Sequence, residues 1–361
     1  MSEARVWVLD LPEERPTGIG FYAERLIEGL ARSDWADRVG ILQPPTAARE
    51  RRLRTEPLPL PRGPFARLRW SNRRATASAV LRPRDLLHDP HQLGLAGRCV
   101  ARKVMTLHDL TPITHPSHFA FPVNRLRPWA LRATLRSADR VIAVSEATAR
   151  EAVSGGLCDA GRLRATPLAP RGWTGVVPAE ESVRRPYLLC VGTNEARKRW
   201  DYAIRIFEQL HREDPTLGLV FVGKDAFGAS ILHDAIARSP AKDDIVRLGY
   251  ADDATLLGLY RGCRALLVTS HTEGFGLTIL EALGQGRLVA SSARLSGEFK
   301  EAPLVRLDAA DASTAAAQLA TALDRPTTVE SLRTFAARFT WDATVRATIE
   351  VYDELLKEDS P

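Results

Sequence analysis

The chain has 361 residues, 45% of them hydrophobic and 26% charged, enough for two domains of roughly 150 to 200 residues and ordinary for a globular protein. No apolar run approaches the ~18 residues of a membrane span, and the amino terminus enters Arg5-Val6-Trp7-Val8-Leu9-Asp10 without a leader pattern. The four cysteines are scattered without a C-x-x-C pair, which argues against zinc or dithiol chemistry and fits a reducing cytoplasm. The net charge of +6 is uneven: residues 1–180 hold 28 Lys and Arg against 18 Asp and Glu, a net +10, and the remainder 22 against 26, a net −4.

Residues 6–9 form the first short apolar run and read as a strand. Pro16-Thr17-Gly18-Ile19-Gly20-Phe21-Tyr22 then leads into a helix over 20–32, so Gly18 and Gly20 are placed to bring amides near a phosphate or an acceptor. A plain flexible loop is the alternative there. Residues 39–42 read as a second strand, and the Pro-rich stretch 44–64 as a surface loop.

The arginines of residues 49–74 are Arg49, Arg51, Arg52, Arg54, Arg62, Arg67, Arg69, Arg73 and Arg74, interleaved with Phe65 and Trp70. Three readings compete for them: a solvated loop, an anionic membrane surface or lipid-diphosphate acceptor, and nucleic acid. Nucleic acid ranks last, because no recognition helix, zinc finger or RNP pattern accompanies the charge.

Residues 86–88, 103–107 and 141–144 continue the strands, the last followed by a helix over 146–154. This alternation predicts parallel βα units. His108-Asp109-Leu110 directly follows a strand, where a histidine can bond a sugar hydroxyl and Asp109 can set its tautomer or start a helix; a structural histidine is the alternative. His88, His91, His115 and His118 show no metal-ligand spacing.

Residues 171–185, rich in Pro, Gly and charge, are the linker candidate. A second series of strands follows at 187–191, 217–222, 245–248, 265–269 and 288–290, giving two Rossmann-like domains that are expected to face each other across a ligand cleft. After the first of these strands, Gly192-Thr193-Asn194-Glu195-Ala196-Arg197-Lys198-Arg199 offers a guanidinium fork and an ammonium to a diphosphate leaving group, against the plain alternative of a surface charge run. No D-x-D occurs in the chain, so no metal is expected and cation duty falls on Arg197 and Lys198.

The most informative stretch is Thr272-Glu273-Gly274-Phe275-Gly276-Leu277-Thr278-Ile279-Leu280-Glu281. It spaces two carboxylates around a glycine-rich turn that opens a helix, where unpaired amides and positive helix-end charge suit diphosphate oxygens or sugar hydroxyls. Glu281, one turn inside the helix, can accept from a ribose diol, while Glu273 can orient a hexose. The plain alternative is that Glu281 is a solvated helix residue and Glu273 only complements the helix dipole.

Taken together these segments resemble the retaining glycosyltransferases of family 4, with the two-domain GT-B fold, over nearly the whole chain. The likeness rests on Gly18-Ile19-Gly20, Thr106-Leu107-His108-Asp109-Leu110, Ala143-Val144-Ser145-Glu146, residues 191–198, Leu248-Gly249-Tyr250 and residues 270–282. It implies that Glu281 holds the nucleotide ribose, that Glu273, Gly274, Phe275, Gly276 and Leu277 hold the transferred sugar and phosphate, and that Arg197 and Lys198 neutralise the diphosphate. It further implies that His108 contacts the donor sugar, that Gly249 and Tyr250 lie by the base, and that a final helix over 341–361 returns to the first domain. The domains are then 1–172 with that helix, for the acceptor, and 173–340, for the donor.

Two departures bear on sugar identity: Gly286-Arg287-Leu288-Val289 stands where Gly-x-Pro-Val is expected, and Thr278 where proline is common. Glu298 matches the acidic residue that often ends that loop. The resemblance further implies metal-independent hexosyl transfer with retention, from a nucleotide-diphosphate sugar to a saccharide or lipid-linked acceptor. GDP-mannose is the first candidate donor, from likeness to mannosyltransferases of bacterial surface polysaccharides. The location implied is the cytoplasm, with peripheral attachment at the inner membrane face left open. A sugar-nucleotide epimerase and a non-catalytic scaffold of the same architecture remain as alternatives, whereas a Rossmann dehydrogenase lacks its G-x-G-x-x-G after the first strand.

Overall fold

In the computed structural model, residues 4–11, 16, 18–43, 53–57, 81–92, 100–179, 183, 186–325 and 328–358 are described. They fall into two units, Met1–Leu168 with Thr340–Pro361, and Ala169–Phe339.

The first unit is a seven-stranded sheet in the order β3-β2-β1-β4-β5-β6-β7, with every pairing parallel. Its strands are β1 Val6–Leu9, β2 Val39–Gln43, β3 Arg54–Pro57, β4 Leu86–Asp89, β5 Arg102–Leu107, β6 Arg140–Ala143 and β7 Leu163–Ala165. Residues of β1 are buried on both faces, as expected of a parallel sheet covered by helices, and this is why they appear in sequence as unbroken apolar runs. The helices are α1 Gly18–Arg32, α2 Thr111–Thr114, α3 Val123–Ser137 and α4 Glu146–Ser154, joined by the C-terminal helix Trp341–Lys357. Ser145 starts α4 by accepting from Thr148 N, and Thr340 starts the C-terminal helix by accepting from Ala343 N. A buried polar chain ties that last helix to the sheet: the Tyr352 hydroxyl lies 2.6 Å from His88 Nδ1, His88 Nε2 lies 2.8 Å from the Thr106 hydroxyl, and Tyr22 bonds the same hydroxyl at 3.0 Å.

Two expectations change here. α1 begins at Gly18, so Gly18 and Gly20 belong to its first turn rather than to a loop before it. Residues 54–57, expected within a loop, form the edge strand β3, with Arg54 paired to Glu56 at 2.8 Å; charge and proline are tolerated because, among the described residues, this strand is bonded on one side only. The other arginines of 49–74, together with Phe65 and Trp70, lie outside the described residues, and so does Cys99.

The second unit is a six-stranded parallel sheet in the order β10-β9-β8-β11-β12-β13. Its strands are β8 Tyr187–Val191, β9 Gly218–Val222, β10 Ile245–Gly249, β11 Ala265–Val268, β12 Leu288–Ser291 and β13 Val305–Arg306. Around it stand α5 Trp200–Glu213, α6 Ala229–Arg238, α7 Asp253–Gly262, α8 Leu277–Gly284, α9 Ala312–Leu323 and α10 Val329–Ala337. The core joins Leu188, Leu219, Phe221 and Leu267 of the sheet to Ile206, Phe207 and Leu210 of α5. The order runs outward from β8 to β10 on one side and from β11 to β13 on the other, which makes the β8–β11 boundary the switch point where the following loops part and leave a ligand crevice.

The expected linker does not run free at its start. Ala179 N donates to Ala254 O of α7 at 3.0 Å, and Arg171 and Trp173 pack beside α7 and α8.

Candidate active site

At the switch point two loops distant in sequence are laced together. The loop after β8 narrows into a single 3-10 turn, Ala196–Lys198, and Arg199 takes the left-handed conformation with φ 50° before α5 begins. Thr269, just past β11, donates its hydroxyl to the carbonyls of Lys198 and Arg199 at 2.8 and 3.0 Å, and His271 N donates to Arg197 O at 3.0 Å. These bonds set the Lys198 ammonium 2.8 Å from Glu273 Oε1, which also accepts from the Ser270 hydroxyl. Arg197 bonds Glu195 through Nε at 2.7 Å.

Burial by itself would raise the Glu273 pKa, but the charges of Lys198 and Arg197 and the bonds from Lys198 and Ser270 outweigh it and hold the carboxyl below its ordinary value. Glu273 is therefore an anion that keeps a buried ammonium in place.

Glu273 leads into the turn that opens α8. Gly276 caps the helix in the left-handed region with φ 106°, a conformation that glycine adopts without strain. Phe275 turns its ring into an aromatic cluster with Phe299 and Phe339, each centroid 5.7 Å away, so its main chain is what the turn presents. Leu277 is the first residue of α8, and the leading amides of this helix have no acceptor in the helical ladder.

Glu281, 4% exposed, sits one turn further along. Its Oε2 accepts from the Tyr260 hydroxyl at 2.7 Å and its Oε1 lies 3.2 Å from Arg171 Nε, whose Nη1 reaches Asp253 at 2.6 Å. Burial prevails over these partners, and the Glu281 pKa stands above its ordinary value. Tyr260, also buried, is pushed well up, by burial first and then by the Glu281 charge, so it is a neutral donor.

Sequence reasoning missed Arg171, Tyr260 and Asp253. Tyr260 follows the apolar periodicity of α7 and reads as core, and nothing near Arg171 in the chain marks it out.

Gly249 ends β10 and Tyr250 follows it. Gly249 O accepts from Gly223 N at 2.6 Å, and Gly223, with φ 146°, lies so close to the loop after β8 that an added Cβ would stand 1.6 Å from Gly192 O. The Lys224 ammonium covers the Tyr250 ring at 5.3 Å.

Gly18, Gly20 and His108 stand on the first unit. His108 Nε2 lies 2.8 Å from Pro90 O, its backbone N–H donates to Gln92 Oε1 at 2.6 Å, and its ring meets Tyr22 edge-on at 5.1 Å. A carbonyl only accepts, so Nε2 carries the proton and Nδ1 is left as an acceptor. Burial lowers the His108 pKa and keeps the ring neutral. Asp109 takes the second of the two roles open to it: its carboxylate accepts from Thr111 N at 2.9 Å, at the start of α2.

Sequence models of two families match the chain: Glycosyltransferase Family 4 over residues 16–169 and Glycosyl transferases group 1 over residues 178–301. Among curated proteins the chain is 29% identical over 213 residues to the O-antigen chain mannosyltransferase B of Escherichia coli, covering 56% of this chain and 54% of that protein. It is 30% identical over 265 residues to a D-inositol 3-phosphate glycosyltransferase of Kineococcus radiotolerans, covering 62% and 59%. The chain thus spans little more than half the length of these relatives. Among solved structures it is similar to sucrose-phosphate synthase from Thermosynechococcus elongatus, with TM-score 0.75, 19% identity and coverage of 99% and 100%. It is also similar to Anabaena HepE in complex with UDP and glucose, with TM-score 0.71, 18% identity and coverage of 98% and 100%.

Proposed function

Because the chain belongs to the group 1 glycosyl transferases of family 4 and is built on the GT-B fold, we propose that it is a retaining, metal-independent glycosyltransferase. It moves a hexose from a nucleotide-diphosphate sugar to a hydroxyl of a saccharide or lipid-linked saccharide. The observation that carries this reading is the meeting of Lys198 and Glu273, 75 positions apart in the chain, beside the leading amides of α8 at the sheet's switch point.

In this reading the Lys198 ammonium keeps one proton on Glu273 and turns its others to the diphosphate, Arg197 adds its guanidinium, and the α8 amides take further phosphate oxygens. Glu281 accepts from the ribose hydroxyls. Glu273 orients the hexose. The bond from the anomeric carbon to the phosphate oxygen breaks as the bond to the acceptor oxygen forms on the same face. The acceptor proton passes to the departing phosphate, so the products are a nucleoside diphosphate and a glycoside with retained configuration. The cations beside the leaving group stabilise the charge that builds there.

GDP-mannose is the first candidate donor, since the Escherichia coli relatives are named mannosyltransferases. UDP-glucose is the second, from the HepE structure that contains it.

Incubation with each nucleotide sugar and a saccharide acceptor, followed by mass spectrometry, tests the reading: nucleoside diphosphate and elongated saccharide should appear together. Alanine at Arg197, Lys198 or Glu281 should depress turnover, and full activity in all three variants would refute the assignment. An epimerised nucleotide sugar formed without acceptor would favour the epimerase instead.

A further inference from the structure

The first unit carries a surface that the proposed reaction does not use. On α3, Arg125, Trp129, Arg132 and Arg136 follow the spacing i, i+4, i+7, i+11, which aligns them on one face of the helix over about 16 Å. The opposite face buries Leu131, Thr134 and Leu135, so the stripe points away from the core. Trp129 is 52% exposed, and just before the helix Phe121 is 78% exposed. Arg125, Arg132 and Arg136 form no ion pair among the described residues. Nor is any carboxylate present in the sequence between Asp109 and Asp139.

Three unneutralised guanidiniums flanking an uncovered indole are not what a solvated helix face requires; such faces usually mix both signs of charge. We propose that this face of α3, with Phe121, is a docking surface for an anionic phospholipid bilayer. The charge is complementary to lipid phosphates, and arginine stems keep their heads at the phosphates while their methylenes lie along the apolar boundary. The aromatic side chains account for what charge alone does not, because Trp129 and Phe121 gain apolar burial at headgroup depth. A soluble polyanion gives Phe121 no such burial. The surface is separate in sequence from the arginines of residues 49–74 and does not depend on which sugar is transferred.

The test is co-sedimentation of the whole chain with vesicles of phosphatidylcholine alone and of phosphatidylcholine with phosphatidylglycerol, at low and high salt. The protein should sediment with the anionic vesicles only, and less as salt rises. Replacing Arg125, Arg132 and Arg136 together by serine should weaken partitioning by roughly a hundredfold, about fivefold for each arginine. Trp129→Ser, which leaves the charge intact, should also weaken it. Since all four side chains lie on the solvent face, melting temperatures should stay within about a degree of the parent, which separates lost docking from lost fold. Equal sedimentation with neutral vesicles, or undiminished binding by the triple variant, would overturn the proposal. Binding to anionic vesicles that ignores Trp129→Ser and is matched by binding to soluble polyphosphate would overturn it in favour of a polyanion site.

Discussion

Glu273 and Glu281 are eight positions apart, the second buried and the first nearly so, and pushed in opposite directions. Lys198 and Arg197 hold the first below its ordinary pKa, whereas burial lifts the second above its ordinary 4.5 despite Arg171 and Tyr260. A carboxylate accepts from two ribose hydroxyls only when ionised, so nucleotide binding should weaken as pH falls through the raised pKa of Glu281, before solvated carboxylates titrate. Arg171 is the strongest influence lowering that pKa. Arg171→Ala should therefore move the acid limb of binding to still higher pH and raise the donor KM with little change in kcat, as calorimetry and kinetics between about pH 5 and 8 would show. An unmoved acid limb would refute the role.

The Lys198–Glu273 pair makes a second prediction. Lys198→Met leaves a nearly buried carboxylate without its cation and should cost about 3 kcal/mol of stability in addition to activity. Adding Glu273→Gln should return most of the stability, measured by urea unfolding, but none of the turnover; recovery of turnover would show that the pair is structural alone. The two carboxylates were legible in the sequence because their spacing straddles a glycine turn and a helix start. Arg171 was not, since its part is fixed by the packing of residues 169–179 on α7 and leaves no local pattern.

Secondary structure was legible where a strand is buried on both faces or a helix opens on a side-chain cap. β8, at residues 187–191, and α4, at 146–154, are read to the residue because an unbroken apolar run and a serine cap are local signals. β3, β7 and β13 are edge strands of two to four residues, bonded on one side among the described residues, and their Arg54, Glu56, Arg164 and Arg306 give no apolar run to detect. The turn into α8 is the element on which the proposed chemistry depends most. Gly276→Ala would force an L side chain to φ 106° with its Cβ 3.3 Å from Ile279 Cδ1 and 3.4 Å from Phe299 Cζ. The strain is on the order of 1–3 kcal/mol. It should be relieved by rotation of the turn, which misdirects the leading amides, so nucleoside diphosphate affinity should drop about tenfold or more while the core of α8 persists. Unchanged affinity by titration calorimetry would remove the α8 amides from the phosphate site.

Each of the two units has its own buried core, so heat should dissolve them in separable steps that respond to different groups. His88 in the first unit has its pKa lowered from 6.5 to about 3, by burial first and then by His91 and His108, and burial lowers that of His108 as well. A group whose folded pKa is depressed in this way binds fewer protons folded than unfolded, so this unit loses stability as pH falls below about 6.5 and continues to lose it towards about 3. In the second unit Glu281 has the opposite sign: its raised pKa means the folded form takes up a proton first, and acidification towards 4.5 stabilises it. The depressed pKa of Glu273 costs this unit stability only below 4.5. Between about pH 7.5 and 5 the first unit's transition should therefore descend while the second's holds or rises. A nucleoside diphosphate at ~100 times its Kd contributes about 2.7 kcal/mol to whatever binds it, and should lift the second unit's transition alone by roughly 5–10 °C. Tyr352→Phe, which strands His88 Nδ1 without its hydroxyl partner, should lower only the first unit's transition, by about 2 °C or more. Differential scanning calorimetry resolves all three shifts, and a nucleotide that raised the transition lowered by Tyr352→Phe would place its binding on the wrong unit and overturn the site assignment.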